Sequence, residues 1–311
     1  MDEANVNLRS GASDVYVLMT AAGYEADVIR PLIRSLVSNS PSVRVVIFVD
    51  RIRQSVRQLV SESSIKIELV RFPLHYRLAQ RIFRNRFRLS ALAAAFINCL
   101  PRWRWLSIAA SCVSHPASYR FIAYRNWIRA RLHPDDRVWM LDSRDVLITR
   151  DLSMVNVKQV TVGEEHCLLG DEPTNLAWLF QAGYDVSTVT EIADKKIICS
   201  GVVGGQVSEL ERFLNCYESE LIKRIGPIAN RFGFDQAIVM ALARASDTSY
   251  SVDIQPYESP YLVNLGSSGY GDTIPAWVRG DGSEVDIPTI VHQYDRIPEV
   301  TEFMKARFDL G

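Results

Sequence analysis

The stretch that decides the fold is Val138-Trp139-Met140-Leu141-Asp142-Ser143-Arg144-Asp145-Val146-Leu147-Ile148. An apolar run ends in two carboxylates, and a second apolar run follows. A short, wholly apolar segment bounded by polar residues reads as a buried strand. Asp142 and Asp145 then stand where that strand ends and the chain emerges at the edge of a sheet. In open α/β sheets, ligands bind at the carboxyl ends of strands. Two anionic oxygens at such a point suit a hard divalent cation, Mn2+ or Mg2+, that keeps the rest of its shell for water and a diphosphate. The same residues could instead cap a turn, the acids pairing with Arg144 or Arg150.

Upstream, the chain alternates strand and helix. Val15 to Met19 reads as a first strand and runs into the small-residue turn Thr20-Ala21-Ala22-Gly23-Tyr24. Ile29, Leu32, Ile33 and Leu36 share one helical face at i, i+3, i+4 spacing, and Pro41 ends that helix. Val43 to Val49 and Ile65 to Val70 read as two more strands. Strands that are apolar throughout predict a parallel sheet covered on both faces. The absence of G-x-G-x-x-G argues against a dinucleotide fold.

Residues 75–133 interrupt that rhythm. From Leu69 to Pro134 the chain has no Asp or Glu but twelve arginines, while the remaining 23 basic residues stand against all 36 acids. A block of one sign inside an otherwise acidic chain predicts an anionic partner. Arg77, Arg81, Arg84 and Arg88 line one face of a predicted helix, and Trp103 and Trp105 flank Arg104. The region reads either as a helical insertion with a solvated basic face or as a membrane-surface segment spanning Arg77 to Arg104. Nucleic acid is not the expected partner.

Downstream, Val160 to Tyr184 reads as a looser region, with Glu164-Glu165-His166 in a loop and a helix-like stretch from Asn175 to Leu179. Glu165 reads as a solvated loop acid or a binder of acceptor hydroxyls. Lys196 to Cys199 reads as a strand opening into a glycine turn, Ser200 to Gly205, where glycines permit close backbone approach to a ligand. A helix is predicted from about Val207 to Lys223, and another after Phe232-Gly233-Phe234-Asp235-Gln236. Asp235 would be explained equally well as the N-cap of that helix. The chain closes with Ile290-Val291-His292-Gln293-Tyr294-Asp295-Arg296 and a short helix. His292 alone reads as a partly buried histidine bonded to Asp295. The other histidines, 75, 115, 133 and 166, lie in no ligand-like pattern.

Composition sets outer limits. With 311 residues, 48% hydrophobic, the chain suffices for one large α/β domain, here taken as 1–311. MDEANVNLRS has no basic-then-apolar leader pattern, and no apolar run is long enough to span a bilayer. Five scattered cysteines, without C-x-x-C, argue against a disulfide framework or a zinc site. A reducing cytoplasm is the expected setting, free or attached peripherally to the inner membrane face.

Five motifs in order carry a resemblance: the N-terminal β-α-β unit, "WMLDSRDV", "ICSGVVGG", "FGFDQAI" and "VHQYDR". Over residues 14–296 the series resembles the GT-A glycosyltransferases, and within them the retaining, glycogenin-like and lipopolysaccharide-galactosyltransferase-like group. The resemblance implies a GT-A type α/β fold and transfer of a sugar from a nucleotide sugar, a UDP-sugar before a GDP-sugar, to a glycan or lipid-linked acceptor. It implies that Thr20, Ala21, Gly23 and Tyr24 hold base and ribose. Asp142, Asp145 and His292 would bind Mn2+ or Mg2+, with Asp142 also near ribose. Ser200 and Gly201 would line the sugar pocket, and Asp235 and Gln236 would flank the anomeric carbon. Residues 255–311 would close over the donor. The acids here are spaced Asp-x-x-Asp where that group usually has Asp-x-Asp. A degenerate, non-catalytic binding protein and a sugar nucleotidyltransferase are the competing readings, and the second would need a basic residue in the Thr20–Tyr24 turn.

Overall fold

A computed structural model describes residues 13–83, 93, 106–225, 231–246, 248–257, 259–266, 274–279 and 287–308. The chain is α/β, built on a seven-stranded sheet ordered β3-β2-β1-β4-β7-β6-β8. Its strands are β1 Val15–Thr20, β2 Arg44–Val49, β3 Lys66–Arg71, β4 Arg137–Leu141, β6 Val160–Leu168, β7 Lys196–Gln206 and β8 Val252–Gln255. Four of the six pairings are parallel, and β7 runs antiparallel to both β4 and β6. A second sheet joins β5 Val146–Ile148, β10 Ile290–His292 and β9 Leu262–Asn264 in the order β5-β10-β9.

Alternation along the strands builds two cores. Successive side chains of a strand point to opposite faces. Tyr16, Leu18, Val46, Phe48, Val138 and Met140 enter one core, and Val17, Met19, Val45, Ile47, Trp139 and Leu141 enter the other. The second core is covered by α1 Ala26–Asn39 through Ile29, Leu32, Ile33 and Leu36, and by α2 Gln54–Glu62 through Val56 and Leu59. After α3 Leu74–Phe83 and α4 Leu106–Val113, the first core is covered by α5 Pro116–Arg131, with α6 Pro173–Gln181, α7 Val186–Ala193, α8 Val207–Lys223 and α9 Phe234–Arg244 behind it. A third, small core packs Leu147, Val263 and Val291 against Trp277 of α10 Ala276–Arg279 and Val300 and Met304 of α11 Pro298–Phe308.

Three expectations need correction. Val160 to Leu168 is one strand, not a loose segment. Lys196 to Gln206 is likewise one eleven-residue strand, so the Ser200–Gly205 stretch is no turn. Its glycines mark close packing: a Cβ on Gly204 would overlap the indole of Trp139 on the neighbouring strand. Third, the 75–133 region is not only a peripheral insertion. Helix α5 is buried along most of its length, including Arg120 and Arg125. Arg125 pairs with Glu218 of α8, so among the described arginines of the block Arg120 and Arg125 are buried. Of the segment expected at the membrane surface, residues 84–92 and 94–105 lie outside the described residues, Arg84, Arg88, Trp103, Arg104 and Trp105 among them. Among the described residues no helix is long and apolar enough to cross a membrane.

Candidate metal centre

The site forms because two short segments are registered against each other. The turn between β4 and β5 carries Asp142 and Asp145. Strand β10 pairs antiparallel with β5, setting His292 opposite Val146, and parallel with β9, setting His292 beside Asn264. Gln293 donates its N–H to the Asp145 carbonyl at 2.7 Å, and its left-handed backbone (φ 61°) turns the chain away just past the histidine. The Asp142 N–H donates to the Gly201 carbonyl at 2.7 Å, and Ser143 Oγ donates to the Thr20 carbonyl at 2.6 Å. The acidic turn is thus tied to the end of β1, the middle of β7 and the residue that follows β10.

One ligand atom from each of Asp142, Asp145 and His292 lies within 4.8 Å of the others. His292 Nε2 is 3.6 Å from Asp142 Oδ2 and 3.7 Å from Asp145 Oδ1. His292 is buried, and its Nδ1–H donates to Asn264 Oδ1 at 2.9 Å, because an amide oxygen can only accept. That bond keeps a proton on Nδ1 and turns Nε2 toward the two carboxylates. Nε2 is buried without a hydrogen-bond partner. Two carboxylate oxygens and one imidazole nitrogen, converging with that nitrogen lacking a hydrogen-bond partner, fit a divalent cation of the Mn2+ kind. Gly201 makes room for this: a Cβ there would overlap the His292 ring and stand 2.9 Å from Asp142 Oδ2.

Charge is arranged unevenly. Burial pushes the Asp142 carboxyl up, but the Arg120 guanidinium and His292 outweigh it and hold the group below the usual carboxylate range. Burial and the neighbouring Asp142 charge push Asp145 up, with His292 and Arg144 partly offsetting them. Arg144 reaches Asp145 at 3.3 Å, so the turn-pairing reading and the cation-site reading share the same residues.

These groups face a cavity of about 410 Å3 at the carboxyl edge of β1 and β4. Its lining includes Thr20, Ala22 and Tyr24 from the turn after β1, and Asn175, Trp178, Phe232 and Gln236. Ala21 and Gly23, expected to touch a nucleotide, belong to the same turn but are not part of the cavity lining. Ala21 is buried with its N–H on the Phe48 carbonyl, and Gly23, at φ 81°, donates its N–H to Asp50. Ser200 and Gly201 line the cavity as expected. Asp235 is not the N-cap of α9, a place taken by Gly233 at φ 90°. Its carboxylate accepts from Ser200 Oγ at 3.0 Å and from Arg120 at 3.3 Å. Nor does His292 bond Asp295.

Gln236 is held by a relay. Its Nε2 donates to Asn175 Oδ1 at 2.7 Å, and Asn175 Nδ2 donates to Glu172 Oε2 at 2.7 Å. With Nε2 engaged, the amide oxygen is left for the Cys199 thiol at 3.5 Å and for the cavity.

Sequence reading missed three contributors. Arg120 is a buried arginine that bridges Asp142, Asp235 and the Ser200 carbonyl. Its signal was an arginine embedded in Tyr119-Arg120-Phe121-Ile122, where a solvated charge would be out of place. Asn264 is a fully buried amide inside the apolar strand Leu262–Asn264. Glu165 is buried in β6 and lines the cavity, not a solvated loop acid. No family model matches this chain, and no curated protein matches it.

Proposed function

We propose that the protein is a metal-dependent glycosyltransferase of the GT-A kind, moving a sugar from a nucleoside diphosphate, UDP before GDP, to a glycan or lipid-linked acceptor. The observation that carries this reading is the convergence of Asp142, Asp145 and His292 on one point of a sheet-edge cavity, with His292 Nε2 buried and lacking a hydrogen-bond partner. Mn2+ or Mg2+ held there would act as a Lewis acid on the leaving diphosphate. The chain supplies the remainder. Thr20 and Tyr24 border the end suited to base and ribose. Arg120 keeps Asp142 ionised and fixes Asp235 and the Ser200 carbonyl. The Glu172–Asn175–Gln236 relay presents an amide oxygen to the cavity, where a cation-like anomeric carbon gains from a negative dipole. Retention of configuration is the expected stereochemistry.

The testing experiment is a thermal-shift panel of UDP-, GDP-, CMP- and dTDP-sugars with Mn2+, followed by donor hydrolysis with and without EDTA. A ligand that binds only the native state raises the melting point by mass action. One nucleotide is expected to stand out, only with metal present. No shift with any donor, or undiminished hydrolysis in excess EDTA, rejects the reading.

A further inference from the structure

Helix α3 is apolar on two opposite faces. Its inner face sets Tyr76 and Ala79 into the core beneath Phe72. Its outer face carries Leu74, Leu78 and Ile82, at i, i+4 and i+8, with 60%, 47% and 53% of their surfaces exposed. Residues at that spacing form one stripe along a helix. Ile108 of α4, which packs beside α3, is also exposed. A lone exposed leucine is ordinary, but three in one stripe are not.

Charge surrounds the stripe. Arg71, His75 and Arg81 are exposed beside it. The stripe lies inside the acid-free span from Leu69 to Pro134, and the acid just before that span, Glu68, is engaged by Arg131. Apolar side chains flanked by Arg71 and Arg81, neither of which makes an ion pair among the described residues, match the boundary between lipid headgroups and acyl chains. Nucleic acid would satisfy the arginines and leave Leu74, Leu78 and Ile82 without use. A second copy would bring like charges face to face.

We infer that the outer face of α3, with Ile108 of α4, docks on an anionic phospholipid bilayer. Helix α3 starts just after β3, at the carboxyl edge that also bears Asp142. Docking there sets the cavity's edge of the sheet toward the bilayer, within reach of a lipid-linked acceptor. The docking itself does not depend on sugar transfer, so the two readings fail separately.

The test is co-sedimentation of the full chain with vesicles of phosphatidylglycerol and phosphatidylcholine, and with phosphatidylcholine alone. Wild type is expected to pellet only with the anionic vesicles and to be released as salt rises. Arg71→Gln with Arg81→Gln is expected to weaken binding by about tenfold or more. Leu74→Ser, Leu78→Ser and Ile82→Ser together are expected to abolish it, with the melting temperature retained. If the triple variant unfolds, the arginine pair alone decides. Wild type remaining in the supernatant at low salt, variants that pellet as wild type does, equal retention by duplex DNA, or a dimer abolished by the triple variant would each overturn the inference.

Discussion

At the scale of single residues the centre depends on groups that hold its ligands as much as on the ligands. Asp145→Asn removes one anionic oxygen from a buried position and should leave the fold intact. Mn2+ binding measured by calorimetry should be lost, and turnover should fall by orders of magnitude; an active variant in EDTA would refute the metal's role. Asn264→Ala deletes the acceptor that keeps the proton on His292 Nδ1. Partners of this kind commonly contribute about 10–100-fold in metal affinity, so a Mn2+ titration of the variant should weaken by that order. Gly201→Ala should be as damaging as loss of His292 itself, because the added methyl occupies the ring's place. These residues differ in how legible they were. Asp142, Asp145 and His292 stood out as acids at a strand end and a histidine in an ordered motif series. Asn264 and Arg120 did not, since their meaning lies in being buried, and a sequence does not print burial.

At the scale of elements, α6 orients the amide of Gln236 through Asn175, and the helix itself is held by its cap. Glu172 accepts from the backbone N–H of Thr174 at 3.2 Å and of Asn175 at 2.6 Å. Burial pushes its carboxyl up, but the bonds from Asn175 and Thr174 prevail and hold it below the ordinary 4.5. A carboxylate whose folded value is depressed stabilises the protein above its unfolded value and loses that contribution as pH falls through the folded one. Glu172→Ala should therefore cost about 1 kcal/mol near neutral pH. The gap between wild type and variant should close below about pH 4.5, as followed by urea melts across pH. A gap independent of pH would show that the charge on the cap is irrelevant. The two misread strands belong to this scale too. Glycines in Ser200–Gly205 look like a turn when read locally, and only the neighbouring Trp139 and His292 explain why they lie in a strand.

At the scale of the whole molecule, the centre joins the β4–β5 turn to a strand about 150 residues further along. A cation that binds only when β5, β9 and β10 are paired must stabilise the assembled state. At a concentration about 100 times its Kd the gain is about 2.7 kcal/mol. Mn2+ should therefore raise the melting temperature by a few degrees, and His292→Ala should abolish that rise while the metal-free melt stays comparable. Equal rises in both proteins would place the ion elsewhere.

The sequence by itself determined the alternation of strand and helix, the parallel half of the sheet, the helix from Val207 to Lys223, and the three ligand candidates. The elements and the two acids follow from local periodicity and from polar residues at strand ends, both of which are short-range, whereas His292 became a candidate only through the resemblance carried by the ordered motifs. Tertiary structure alone decided that Arg120 turns inward to Asp142, that Asn264 holds His292 through Nδ1, and that Glu165 is buried. It also decided that part of the arginine block is core and part is surface. Each of these is set by which distant strand pairs with which, so its cause lies in long-range register rather than in neighbouring residues.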